Sequence, residues 1–542
     1  MNATQVIRRG LWALVALFLV GGLVFGQTYK NNGTLNNTSS FSAGNFQNYR
    51  TSAGKVNNRG TISVSTNYTN SDGTLNGVTH NQSGGTGGMI DVGGNYANST
   101  GTTFNSLAAS VIKVGGSLTN TTAANFSTDT GKVDYKAAST QTVLATIKSS
   151  KYGALTLSGG SSAVKTLGGS VTVEGLVTIA ASTEFAVGAS NTLTLNAATP
   201  FSNSGTFTAN ASSATTTYNN STDQSVTGAA YYNLTIANGG TKTVDNGAST
   251  VSVAAGGTLT NGTGTFDLGT YALTTTATSA ITNNASGTIK TGGAVTFGAS
   301  HTIAGTFVYY KATGSQDLGA ASYTNLTLQG GTGATGKKVM PSGTLNVAGT
   351  FSIAGGDRDY STNSNTFAYT GASSSTNQTV YSSESYYNLS ISGASDTTFS
   401  TAGRKQADGN LSIANNFTVA ATNVLDMQGN TTITAGGTAA NSGKIMWQGN
   451  NTYIGGTSGV TEFYGTGAGT VAVGASYGKL VFAGSGTKTV SGAVTANASS
   501  GVTALFVYSS GDLSIGGSGN LTINGDVEND GTITNAGTFT VQ

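Results

Sequence analysis

The sequence predicts an all-β chain wound as an elongated, right-handed parallel β-helix, a β-solenoid of about 22-residue coils. Three observations predict it. Short runs alternate apolar with hydroxyl residues, glycine closes most of those runs, and the same phrases return along the chain.

The alternation is seen in Val171-Thr172-Val173, Leu193-Thr194-Leu195, Leu411-Ser412-Ile413 and Leu513-Ser514-Ile515. A period of two puts one row of side chains inward and the next into water, as a half-buried strand requires. The runs end at Gly-Gly, Asn-Gly or Ser-Gly, residues that accept positive φ at tight corners. Gly-Thr followed by Leu, Ile or Phe, at Gly73, Gly205, Gly257, Gly287, Gly343, Gly349, Gly531 and Gly537, marks a corner and the start of the next strand. No stretch after residue 26 sustains an amphipathic helical pattern.

The phrases set the length of a coil. Met89-Ile90-Asp91-Val92-Gly93-Gly94-Asn95-Tyr96 is echoed by Val111-Ile112-Lys113-Val114-Gly115-Gly116-Ser117-Leu118, 22 residues on, and more loosely by Thr61-Ile62-Ser63-Val64. That period suits three short strands and three corners, whereas a β-sandwich domain needs roughly 100 residues. Stacked at about 4.8 Å, such coils predict ~23 turns and a rod on the order of 110 Å. A longer unit overlies the coil, beginning near Tyr152, Tyr231-Tyr232, Tyr323, Tyr386-Tyr387 and Tyr477, with the second aromatics 80, 91, 64 and 90 residues apart. Upstream sits Gln-Thr-Val or a variant, at Gln141, Gln224 and Gln378; downstream often comes a strand such as Thr241-Lys242-Thr243-Val244. The expected organisation is a signal peptide over 1–26, regular coils over 27–130, divergent long units over 131–509 and closing coils over 510–542.

Residues 1–26 have the plan of a secretory signal, with Arg8 and Arg9 ahead of an apolar run from Leu11 to Phe25 and small residues at Val24 and Gly26. Their removal lowers Lys plus Arg from 23 to 21, against 21 Asp plus Glu, so the mature chain is formally neutral. Nucleic-acid binding and polybasic membrane docking need a basic excess that is absent. No second long apolar stretch predicts a membrane span. Zero cysteines exclude disulfides, thiolate chemistry and Cys-ligated zinc. With 80 Gly and only 8% charged residues the chain reads as disorder-prone, but 37% apolar residues in regular places supply a core.

The phrase Tyr231-Tyr232-Asn233-Leu234-Thr235-Ile236 followed by Gly239-Gly240-Thr241-Lys242-Thr243-Val244, with the signal-like start and coil-sized repeats, resembles the β-strand-repeat surface proteins of bacteria. More distantly it resembles the β-helical passengers of autotransporters and filamentous-haemagglutinin-type adhesins. The resemblance covers nearly all of residues 27–542 and implies an extracellular stalk or adhesin at the outer cell surface. It departs from autotransporters in showing no C-terminal membrane-barrel pattern, which puts self-export in doubt.

Candidate chemistry is sparse. His80 and His301 stand isolated among Gly, Thr, Ser and Asn, without the partners a catalytic triad or metal site needs. Asp357-Arg358-Asp359-Tyr360 is the densest charged cluster; Asp357 and Asp359 are candidates for substrate contact or acid–base work, against a solvated corner with a local ion pair. Asp526, Glu528 and Asp530 alternate and so share one strand face, a candidate Ca²⁺ site through oxygen ligands or else a solvated acidic face. Tyr231 and Tyr386 are candidates for stacking on sugars, although alternation places only one Tyr of each pair outside. Outward Thr rows from the Leu-Thr-Leu strands suit either a hydrated surface or an ice-binding face.

The expected function is therefore a secreted or cell-surface structural and adhesive β-solenoid, acting in attachment or matrix assembly without catalysis and without a cofactor. Its expected partners are surface glycans or proteins, with no nucleic acid. The competing readings are a carbohydrate-active β-helix enzyme and a glycan- or ice-binding module. Because Gly531-Thr532-Ile533 and Gly537-Thr538-Phe539 keep full strand rhythm to Gln542, end-to-end self-association is also expected.

Overall fold

The structure is a computed structural model. It describes residues 27–542 apart from 32–33, 38, 49–54, 59, 71–77, 83–87, 100–101, 107–109, 124–125, 161, 299, 312, 331–336, 372–377, 394–403, 430–431, 451–455 and 499–501. The signal segment 1–26 lies outside the described residues. The chain is an all-β parallel solenoid of about 22-residue turns, with 59% of residues in strands and no α-helix among the described residues. The turns number about 19, fewer than the length divided by 22 suggests. Some turns take more residues than 22, as from Thr61 to its partner one turn on, Met89. Two compact units divide it, one within Met1–Asp267 with Thr278–Ala280, the other Leu268–Ala277 with Ile281–Gln542.

In the first unit each turn contributes three strands, and each strand pairs in parallel with its counterpart one turn away. Thr61–Val64 stacks on Met89–Val92 and that on Val111–Val114, so the 22-residue echo is one turn. Tyr68–Asn70 pairs with Tyr96–Asn98, and Val78–Gln82 with Thr102–Ser106. The burial patterns alternate as the sequence predicts, with Ile62, Val64, Ile90, Val92, Ile112 and Val114 inward. Glycine's role at these corners differs from the expectation. Gly93, Gly94, Gly115 and Gly116 are absent from the positive-φ residues, and a Cβ on Gly115 would lie 2.2 Å from the Gly93 carbonyl oxygen. Successive corners approach too closely for a side chain, and that, rather than backbone handedness, requires the glycine there.

Stacking places like residues over like. Asn31, Asn48, Asn70, Asn98 and Asn120 form a buried ladder, each Nδ2 donating to the next Oδ1 at 2.8, 3.0, 2.7 and 2.8 Å. Asn120 closes it by donating to the Thr122 and Thr146 carbonyls at 2.9 and 2.6 Å. Beside it Phe46, Tyr68 and Tyr96 stack with centroids 4.7 and 4.8 Å apart, the spacing of the strands themselves.

The long phrase proves to be a corner clasp. Tyr135 and Tyr152, Tyr218 and Tyr231, Tyr309 and Tyr323, and Tyr369 and Tyr386 face each other across the core with hydroxyls 2.9, 3.0, 2.8 and 2.9 Å apart. In each pair the first hydroxyl accepts one backbone N–H, and the second donates to the C=O of that same residue: Leu144, Thr227, Gly319 and Tyr381. The two hydroxyls therefore satisfy both main-chain polar groups of one corner residue. The phrases align on the tyrosine three residues before the inward Leu, namely Tyr152, Tyr231, Tyr323, Tyr386 and Tyr477. This corrects the alignment on the second aromatic, which would place Tyr232 and Tyr387 inward, whereas both are partly exposed. Near Tyr477 the first tyrosine is replaced by Phe463, and the Tyr477 hydroxyl lies 3.4 Å from the Ala472 carbonyl.

The Gln and Lys of the flanking phrases complete the corners. Gln224 donates to the Leu195 and Ala197 carbonyls at 2.9 and 2.8 Å and accepts from Asn220 N–H at 3.1 Å. Gln141, Gln316 and Gln378 repeat this arrangement. One turn on, in register with these glutamines or with Gly469, stand Lys165, Lys242, Lys338, Lys405 and Lys488. All five are buried, and their ammonium groups donate to corner carbonyls, as Lys242 does to Thr222 and Gly239 at 2.7 and 2.6 Å. In a chain with no cysteine, these polar plugs satisfy the backbone where the chain turns.

Candidate functional site

The sequence-derived candidates do not converge. His301 is buried, its Nε2 2.8 Å from Thr275 Oγ1 and its ring edge-on to Phe297; burial lowers its pKa, which favours the neutral ring. His80 lies in the strand Val78–Gln82, in backbone register with Val56 and Phe104. Tyr231 and Tyr386 are fully buried clasp residues, which corrects their candidacy as exposed sugar-stacking groups. The reason is the pleat, which turns the first Tyr of each phrase inward.

The cluster at Asp357–Tyr360 is built differently from either reading of it. Arg358 reaches into the next turn and pairs with Glu384 through both Nε, at 2.9 Å from Oε2, and Nη2. The buried Tyr360 hydroxyl donates to the same carboxylate at 3.0 Å. Asp359 instead accepts from the backbone and hydroxyl groups of Ser361 and Thr362 at 2.7–3.0 Å, and these bonds, led by those from Thr362, hold its pKa down to about 2. Asp359 is thus a turn cap and stays ionised, while Asp357 is exposed. Asp526, Glu528 and Asp530 are exposed in or just after the strand Asp526–Asn529. Alternation keeps neighbouring carboxylates roughly 7 Å apart along it. No group of three metal-ligating side chains occurs among the described residues.

The residues that do come together, apart from Glu528 and Asp530, were not singled out in the sequence. In the second unit the strands Lys405–Ala407, Val424–Met427, Lys444–Trp447, Gly456–Phe463 and Ala475–Phe482 stack in parallel and continue into Thr503–Val507 and Asp526–Asn529. Their outward row reads Gln406, Asp426, Met446, Glu462, Val481, Phe506, Glu528. Beside it runs a second row, Val424, Lys444, Val460, Lys479. A chain with only 8% charged residues gathers cations, carboxylates and aromatics on this one face. Its middle is closed by its own side chains, since Asp426 is 2% exposed and Met446 3%. Arg404 Nη1 lies 3.4 Å from Asp426 Oδ2, Lys444 Nζ 2.5 Å from Glu462 Oε2, and Tyr464 Oη donates to Asp426 Oδ1 at 2.6 Å. Burial, followed by the hydrogen bond to Asp426, pushes the Tyr464 pKa up, so that hydroxyl remains a donor.

At one end the face opens. Phe506 and Tyr508 point outward with ring centroids 4.3 Å apart at 60°, and Lys479 Nζ stands 5.7 Å from the Phe506 centroid. Tyr508 is 47% exposed. Glu528 is in register with Phe506 one turn on, and Asp530 N–H bonds to the carbonyl of Val507, just before Tyr508. The signal that marks this face in the sequence is Asp, Met, Glu and Phe at outward positions where other strands carry Ser or Thr, as in Val424-Leu425-Asp426-Met427 and Thr461-Glu462-Phe463-Tyr464.

The first unit carries the contrasting surface. Thr192 and Thr194, Thr215 and Thr217, Asn233 and Thr235, and Thr258 and Thr260 stand in register on four successive turns, each partly exposed. No protein-family model, no curated protein and no solved structure matches this chain.

Proposed function

We propose that the chain is an exported, cell-surface structural and adhesive solenoid that works by its surfaces and not by catalysis. The observation that carries this is the way four of the five long units close a corner with buried Tyr, Gln and Lys groups, giving a cysteine-free stack held by its own hydrogen bonds. Such a stack suits life outside the cell, and repeated weak contacts along it add through multivalency. The charged groups in hand are used structurally, Arg358 with Glu384 and Asp359 as a cap, which supports a non-catalytic reading. The test is to express the full chain with and without residues 1–26, digest intact cells with protease and measure attachment. Surface cleavage and attachment that both need residues 1–26 are expected; a chain kept inside with those residues present overturns the reading.

A second reading is favoured by the Thr columns of the first unit, which place hydroxyls on a two-dimensional grid set by strand and turn spacing. Such a grid suits ordered water, and hence an ice surface. Thermal hysteresis in a freezing solution of the purified chain tests that reading; its absence removes it.

A further inference from the structure

The opened end of the charged face, Phe506 and Tyr508 flanked by Lys479, Glu528 and Asp530, has no structural duty comparable to the corner clasps. We infer that it is a binding platform for an uncharged pyranose glycan. This inference rests on the adhesive reading and supplies the ligand class for it.

Four features select that ligand. The rings stand on an outward strand face, Tyr508 is 47% exposed and Phe506 is partly exposed beside the Lys479 ammonium, so an apolar ring surface is held in water next to a cation. Its size is the second. Two aromatic side chains offer about 150–250 Å² each, well under the roughly 800 Å² per partner of a stable protein interface. A sugar ring, with one C–H face, matches a single aromatic side chain.

Hydrogen bonding is the third feature. Glu528 and Asp530 lie about one strand spacing, ~4.8 Å, beyond the two aromatic positions, and ionised carboxylates accept from sugar hydroxyls. Charge is the fourth. Asp526, Glu528 and Asp530 outnumber Lys479, so uronic acid, sialic acid and sulfated sugars are repelled and uncharged ones are not. The platform is also rigid. Tyr508 N–H bonds to the Phe482 carbonyl, Asp530 N–H to that of Val507, and Lys479 sits against Phe506, so little ordering cost remains on binding.

The experiment uses purified residues 27–542 and titrates neutral hexose and N-acetylhexosamine oligosaccharides, with oligogalacturonate as the anionic probe, by calorimetry. Tyr508→Ser and Phe506→Ser are compared with the parent chain, and circular dichroism confirms that both keep the β fold. Expected are binding of a neutral oligosaccharide, weakening by roughly tenfold or more in each Ser variant, about 1.4 kcal/mol or more, and no binding of oligogalacturonate. Glu528→Gln with Asp530→Asn is expected to weaken neutral binding and relax the exclusion of the anionic probe. Neutral-sugar binding that survives both Ser variants, or no binding of any neutral probe, overturns the platform. Attachment of cells displaying the same variants separates the two readings. Attachment that persists without sugar binding sinks the platform alone, and cells that attach equally well without the chain sink the adhesive reading.

Discussion

Tyr218→Phe isolates the chemistry of one clasp. The Tyr218 hydroxyl accepts from Thr227 N–H at 3.0 Å and lies 3.0 Å from the Tyr231 hydroxyl, which donates to the Thr227 carbonyl. Thr227 is 1% exposed, so water does not replace the lost acceptor. Removing one partner and leaving a buried N–H unpaired costs about 1–3 kcal/mol, with the ring itself conserved. That is a change of roughly 5- to 150-fold in the local opening equilibrium. A stacked repeat unfolds by local terms, so a single melting temperature is a blunt readout. Native-state hydrogen exchange at the Thr227 amide is the direct one, with protection expected to fall by that factor. The Gly319 amide, held by Tyr309 at 2.9 Å in another clasp, is expected to keep its protection. An unchanged Thr227 rate refutes the claim that the hydroxyl pair holds the corner.

Three further outcomes are expected. Burial lowers the pKa of Lys165, Lys338 and Lys405 to about 8, below the usual lysine value, so their charged forms are penalised in the fold. That penalty is full below about pH 8 and is relieved as pH rises toward the unfolded lysine value near 10.4, whereas tyrosines raised by burial, such as Tyr135 to about 12, cost stability above pH 10. Thermal denaturation from pH 6 to 11 should therefore peak between about 9 and 10; a steady fall from pH 7 upward contradicts it. Asn70→Ala removes the acceptor of Asn48 Nδ2 and the donor to Asn98 Oδ1, breaking the ladder at two bonds, and should cost about 1–3 kcal/mol, read as faster amide exchange over 68–98. Replacing His80, His301, Asp357 and Asp359 together should leave attachment and sugar binding unchanged, and turnover of a polysaccharide that vanishes in that variant would show the non-catalytic reading to be mistaken.

The sequence by itself determined the periodicities. Alternation in Leu193-Thr194-Leu195 can bury only one row, and a 22-residue echo brings Ile90 and Ile112 to the same place on successive turns, so strand, face and turn were legible without coordinates. What the repeats were for was not legible. Gln224, Lys242, Tyr218 and Tyr231 are separated along the chain, and their shared task at one set of corners exists only after the turns stack. The off-by-one alignment of the Tyr phrases had the same origin, because the corner between Tyr152 and Leu155 inserts two residues where a straight strand inserts one. The charged face was hidden for the converse reason. Asp426, Met446, Glu462, Val481 and Phe506 are spread over 81 residues, counting Asp426 to Phe506, and each marks its own strand by replacing an outward Ser or Thr without pointing to the others. Parallel stacking, at one strand spacing per turn, turns that dispersed set into a single column, so only the tertiary structure decided where this protein presents its chemistry.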